Sequence, residues 1–166
     1  ILLSRSPNEE GTKFVLDSIK AIDEEVAGIH HRYFKKFNIS SEDLSTAIAY
    51  PSIEFYNSFL IKTAAIEPFE VGLIAMLPCH RIYYQLGVDM KKAGKREGNK
   101  YQEWIDGYAE QSWETSDTKK FADLIDLYAS RTSIETRERM KQAYRTAVKL
   151  EYIFWDGVYR DIKWPP

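Results

Sequence analysis

Residues Pro68 to Lys92 read Pro-Phe-Glu-Val-Gly-Leu-Ile-Ala-Met-Leu-Pro-Cys-His-Arg-Ile-Tyr-Tyr-Gln-Leu-Gly-Val-Asp-Met-Lys-Lys. Gly72, Met76, Cys79, Tyr83, Leu86 and Met90 recur at intervals of four and three, so they form one stripe of a helix opened by Pro68. The stripe predicts that Cys79 faces the interior of a bundle, with Tyr83 one turn beyond it. Pro78 sits deep in this pattern, where it removes a backbone hydrogen bond to the carbonyl of Ile74 at a cost of about 3 kcal/mol. Such a kink is compensated by its surroundings, and functional sites are among the places where strain is kept.

The same period extends in both directions. Upstream, Ser6-Pro7-Asn8-Glu9 predicts a helix start, with Ser6 as N-cap, Pro7 at the first helical position and Glu9 closing a capping box. Val15, Ile19, Ile22, Val26, Ile29 and Tyr33 then form an apolar stripe. Residues 38–50 are polar and predict a connection with a short helical turn. Pro51 opens a second helix carrying Phe55, Phe59 and Leu60. Downstream, Gly94 to Gly98 marks a loop. Helices are expected from about Asn99 to Ala109, from near Ser116 to about Ser130, and from Thr132, spaced as a capping box with Glu135, to about Arg160. Strand signals are almost absent. One all-α domain, a helical bundle over residues 1–166, is the expected architecture.

The chain has 166 residues and a net charge of −2, with no basic face of the kind that binds nucleic acid. No apolar run approaches the ~20 residues needed to span a bilayer. A single cysteine excludes an intrachain disulfide, and with a pI near 6.0 and no targeting signal this points to the cytoplasm. The opening Ile1-Leu2-Leu3 reads as the tail of a helix begun upstream, so N-terminal helices are expected to be missing.

Two residues carry chemical interest. Cys79 is either a small buried hydrophobe, as most lone cysteines are, or a nucleophile. In the last helix, Met140, Tyr144, Ala147, Glu151, Phe154 and Val158 form a stripe in which Glu151 is the one acidic member. A carboxyl group there is either tied to an Arg or Lys of a neighbouring helix or has a raised pKa suited to acid–base work. Tyr56, Tyr83, Tyr108 and Phe154 lie on or beside apolar stripes, as core rings or as walls for a flat, polar-edged ligand. None of His30, His31 and His80 follows a Glu by three positions, so the Glu-x-x-His pair of di-iron bundles is lacking; His80 lies off the Cys79 stripe.

Four segments, taken in order, resemble one family. They are Tyr56-Asn57-Ser58-Phe59-Leu60, Leu77-Pro78-Cys79-His80-Arg81-Ile82-Tyr83, Tyr101-Gln102-Glu103-Trp104-Ile105-Asp106-Gly107-Tyr108, and Glu151-Tyr152-Ile153-Phe154-Trp155. They are similar to motifs of the TenA family, also called thiaminase II. The resemblance implies a haem-oxygenase-like helical bundle, a homotetramer, and hydrolysis at the methylene on C5 of a 4-amino-2-methylpyrimidine or of thiamin. Leu-Pro-Cys places the chain with the cysteine-containing branch. The implied roles are Cys79 as nucleophile and Glu151 as acid–base partner. Tyr83 and Tyr108 would orient thiol and ring, Phe154 would stack on the pyrimidine, and Tyr56 would wall the pocket. This chemistry requires neither metal nor cofactor. The family's N-terminal Asp and a neighbouring aromatic residue would lie upstream of Ile1, and His80-Arg81 stand where aromatic residues commonly follow the cysteine. Three rivals remain: a non-catalytic pyrimidine-binding or regulatory protein of this fold, a metal-dependent oxidase on the same architecture, and a hydrolase of another heteroaromatic amine.

Overall fold

The computed structural model describes residues 1–109 and 112–166. Among them there are eight α-helices and no strand. They are α1 (Glu9–Glu25), α2 (His31–Lys36), α3 (Ser41–Thr46), α4 (Pro51–Ile66), α5 (Phe69–Lys92), α6 (Gln102–Tyr108), α7 (Asp117–Arg131) and α8 (Ile134–Tyr159). A π-helical turn, Val26–His30, joins α1 to α2. No helix is long and apolar enough to cross a membrane among the described residues.

Side chains that satisfy free N–H groups set the starts of α1, α3, α7 and α8. Pro51 stands at the first turn of α4, where its missing N–H costs nothing. The Ser116 hydroxyl accepts from Lys119 N–H at 3.1 Å and caps α7. Two expected caps are displaced by one or two residues. Asn8, not Ser6, caps α1: its Oδ1 accepts from Gly11 N–H at 2.9 Å. The same oxygen accepts from the Tyr128 hydroxyl at 2.9 Å, so a contact from α7 fixes the cap. Ser133, not Thr132, caps α8, because the Thr132 hydroxyl is drawn away to Glu70 Oε1 at 2.9 Å.

α5 is the central element and packs most extensively on α8, then on α6, α4 and α7. Its buried apolar side chains Val71, Leu73, Ala75 and Leu77 meet Phe121, Leu124 and Ile125 of α7 and Met140 and Ala143 of α8. Burying apolar surface of this kind drives the assembly at about 25 cal/mol per Å². A second cluster, Tyr56, Ala147 and Leu150 with Phe59, Leu60 and Phe154, joins α4 to α8. Gly72 lets α5 approach α4 closely: a Cβ there would lie 3.1 Å from the Ala64 Cα.

Two stripes depart from the sequence expectation. In α1, Val15 enters the core, but Ile19 and Ile22 are exposed, as are Leu16 and, in the π-helical turn, Val26. The first half of α1 packs through Gly11, Val15 and the Phe14–Phe121 ring contact, and the second half runs past that core. In α5, the stripe through Cys79 is not the core face. Met76, Tyr83 and Leu86 are half-buried, and Cys79 and Met90 are accessible to solvent. The closed core belongs to the neighbouring face, with fully buried Val71, Leu73 and Pro78. In α8, Val158 is likewise on the surface, while Met140, Ala147 and Glu151 are buried as expected.

Candidate active site

Cys79 emerges from α5 one residue after Pro78, opposite α8. The residue is exposed, and Glu151, Tyr56, Tyr83 and Tyr108 lie close enough to interact with its thiol, so Cys79 stands in an open recess among them. Burial first, then the neighbouring Glu151 carboxyl and more remotely Glu25, push the thiol up to about 12. A preformed thiolate is therefore disfavoured in this environment.

Glu151 is 1% exposed on α8. Burial raises its carboxyl above the ordinary range, while hydrogen-bonding neighbours Tyr56, Cys79 and Trp155 act in the opposite sense. No Arg or Lys is among its partners in the described residues, which removes the buried ion-pair reading. Glu151 Oε2 and the Tyr56 hydroxyl are both buried, and neither closes a hydrogen bond of normal geometry. The two lie close enough to act on each other, and with no bond of normal geometry between them both stay available to a ligand donor and acceptor.

Rings wall the recess. The Tyr83 ring centroid lies 5.6 Å from that of Tyr108 and 5.6 Å from that of Trp155. Trp104 packs on Tyr108 at 4.6 Å and on Tyr83 at 5.9 Å. Phe154 meets Trp155 edge-on at 5.6 Å and packs against the Tyr56 cluster. Burial raises the hydroxyl pKa of Tyr56, Tyr83 and Tyr108, so all three are neutral phenols. Gly87 sets the position of Tyr108. A Cβ at Gly87 would lie 2.7 Å from Tyr108 Cβ and 2.9 Å from its carbonyl carbon, so only glycine lets α6 come this close.

The fold thus brings Cys79, Glu151, Tyr56, Tyr83 and Tyr108 together, with Phe154 at the margin. It adds Trp104 and Trp155, which the sequence reading left without a role, and Glu25 at the end of α1. The Tyr108 hydroxyl donates to Glu25 Oε1. The spacing Ile22–Glu25–Ile29 would have placed Glu25 on the apolar stripe of α1, but the adjacent acids Asp23 and Glu24 hid it. His80 points elsewhere: its ring stands perpendicular on Phe121 at 5.2 Å, toward α7. Arg81 stacks over Trp113 at 4.2 Å. Among the described residues, no group of three His, Cys, Asp or Glu side chains could hold a metal ion. Two grooves lie away from Cys79: one of about 240 Å³ near Arg139 between α4 and α8, another of about 510 Å³ around Phe55, Ile153 and Trp164.

The TENA/THI-4/PQQC family matches residues 1–161. The chain belongs to this family. Among its relatives is an aminopyrimidine aminohydrolase of Halalkalibacterium halodurans, 28% identical over 141 residues, covering 82% of this chain and 61% of that protein. One from Bacillus subtilis is 26% identical over 136 residues, with 82% and 57% covered. A third, from Helicobacter pylori, is 23% identical over 163 residues, with 89% and 75% covered. The chain therefore spans about three-fifths of the length of the first two. The X-ray structure of a TenA homologue from Pyrococcus furiosus superposes with a TM-score of 0.81 at 21% identity, covering 93% of this chain and 71% of that one. The all-α bundle described above is the TenA fold.

Proposed function

We propose that this protein hydrolyses aminopyrimidines in thiamin salvage, converting 4-amino-5-aminomethyl-2-methylpyrimidine to the hydroxymethylpyrimidine, cleaving thiamin, or both. The observation that supports it most is the accessible Cys79 thiol beside a buried carboxyl group with an unpaired oxygen, inside a box of aromatic rings. The names of the three relatives are consistent with it.

The raised thiol defines how the reaction has to run. Direct displacement of an amine from the methylene is difficult. In the proposed course, Cys79 sulfur adds to C6 of the pyrimidine as its proton passes to the ionised Glu151 carboxylate. Glu151 then returns that proton toward ring nitrogen or the departing amine, and ring electrons expel ammonia. Water adds to the exocyclic methylene, sulfur leaves C6, and the thiol is restored. The net change is exchange of amine for hydroxyl, and the covalent adduct divides one hard step into easier ones. A carboxyl group of raised pKa is a stronger base toward the thiol than an ordinary carboxylate and a ready acid once protonated, which suits this shuttle.

Tyr56 and Glu151 offer the unpaired buried atoms that an aminopyrimidine edge would satisfy, and Tyr83, Tyr108 and Phe154 supply flat walls. We place the working protein in the cytoplasm as a homotetramer acting on this small molecule. The test is turnover of the aminomethylpyrimidine and of thiamin by full-length protein. Binding without turnover would replace this reading with that of a pyrimidine-binding protein.

A further inference from the structure

Glu25 is the one site carboxylate that the proposed chemistry leaves without a task. It ends α1 immediately before the π-helical turn Val26–His30. Such turns are rare and recur at functional sites, where the extra residue re-aims side chains. Glu25 is half-buried, makes no ion pair among the described residues, and accepts the Tyr108 hydroxyl hydrogen. Two contacts join α2 to α6 beside it. Arg32 pairs with Glu103 at 2.8 Å, and Trp104 N–H donates to the Tyr33 hydroxyl at 3.1 Å. The π turn, α2 and α6 are thereby held together around this contact.

A phenol has one proton and can accept through its oxygen. With that proton committed to Glu25, the Tyr108 oxygen can only accept. A hydrogen bond to a carboxylate also strengthens the phenol oxygen as an acceptor. We infer that Glu25 is a positioning residue: its carboxylate holds the Tyr108 hydroxyl so that the Tyr108 oxygen accepts from an N–H donor of the ligand, selecting amine-bearing heteroaromatics at the Cys79 recess. This rests on the function proposed above. The same carboxylate also opposes thiolate formation. The groups facing Cys79 are Glu151 from α8, Glu25 from α1, Tyr56 from α4, Tyr83 on α5 and Tyr108 from α6. From α7, Asp117 acts on His80.

Full-length wild type, Glu25→Gln, Glu25→Leu, Tyr108→Phe and the Glu25→Leu/Tyr108→Phe double variant would be compared. The readouts are KM and kcat for the aminomethylpyrimidine and the pH dependence of Cys79 alkylation by iodoacetamide. Glu25→Leu and Tyr108→Phe should each raise KM about tenfold, the size of one lost hydrogen bond, and the double variant should be no worse than Tyr108→Phe. Glu25→Gln should keep much of the wild-type KM, since its carbonyl still accepts from the phenol. Both Glu25 variants should shift the alkylation profile to lower pH, since both remove a negative charge. A merely structural role would not separate these two readouts. Multiplying KM effects in the double variant, or an unmoved alkylation profile in both Glu25 variants, would overturn the inference. If wild type binds the pyrimidine without turning it over, the proposed reaction fails, and dissociation constants in place of KM still decide the role of Glu25. If Glu25→Leu does not fold, Glu25→Ala, alone and with Tyr108→Phe, takes its place in the same comparison.

Discussion

Cys79 on α5 and Glu151 on α8 face each other across the seam between the two longest helices, and each shifts the other's proton affinity. The Glu151 charge makes the thiol harder to ionise, and the thiol helps the carboxylate stay ionised. This reciprocity defines a proton-sharing pair, and most of the expected outcomes below follow from it.

Thiol reactivity is the simplest consequence. With its pKa pushed up to about 12, Cys79 should react with iodoacetamide more slowly at pH 8 than an unhindered cysteine, and the rate should still be climbing at pH 10. Glu151→Gln removes the nearest negative charge and should speed alkylation at fixed pH. A Cys79 that alkylates at the rate of free cysteine at pH 8 would show that the recess does not hold the thiol protonated.

Stability should depend on pH through Glu151 with a definite sign. Its folded-state pKa lies above the ordinary value of 4.5, so the folded protein favours the protonated form. The associated stability is complete below pH 4.5 and is lost as pH rises through the folded-state value. Glu151→Gln has no charge to bury. Its melting temperature should match wild type at acid pH and exceed it increasingly toward neutrality. The opposite trend would mean that the carboxylate is stabilised in the fold. The same titration predicts an acid limb in the wild-type kcat/KM profile, placed above 4.5, that vanishes in Glu151→Gln.

Packing around Gly87 gives a prediction independent of titration. Gly87→Ala would drive a methyl group into the Tyr108 Cβ and carbonyl carbon, which helix backbone cannot easily yield. Overpacking of this kind costs roughly 1–3 kcal/mol. Chemical denaturation should register that loss, and turnover should fall about tenfold or more because Tyr108 and Trp104 move with α6.

Much of this was legible in the chain. Pro51, Pro68 and Ser116 mark helix starts by chemistry local to the chain, and the four-and-three spacing of Met140, Ala147 and Glu151 places them on one buried face. What was hidden depends on distant partners. Asn8 replaced Ser6 because Tyr128 reaches it from α7, and Ser133 replaced Thr132 because Glu70 takes the threonine hydroxyl. Periodicity names a shared face without saying what covers it, so Ile19 and Ile22 were read as core and stand exposed. The Cys79 stripe was likewise assigned to the interior and instead lines an open recess. Glu25 needed both the π turn and Tyr108 to become visible, since neither leaves a local mark in the sequence.

The measurement that bears most directly on the central claim is product formation from 4-amino-5-aminomethyl-2-methylpyrimidine by full-length wild type, Cys79→Ser and Glu151→Gln at pH 7.5. The account predicts hydroxymethylpyrimidine and ammonia from wild type, a loss of roughly a thousandfold in Cys79→Ser, and a loss of about 10²–10⁴-fold in Glu151→Gln, with folding intact in both. Turnover that survives in Cys79→Ser would contradict it, because a reaction that proceeds without sulfur addition has no use for the Cys79–Glu151 pair.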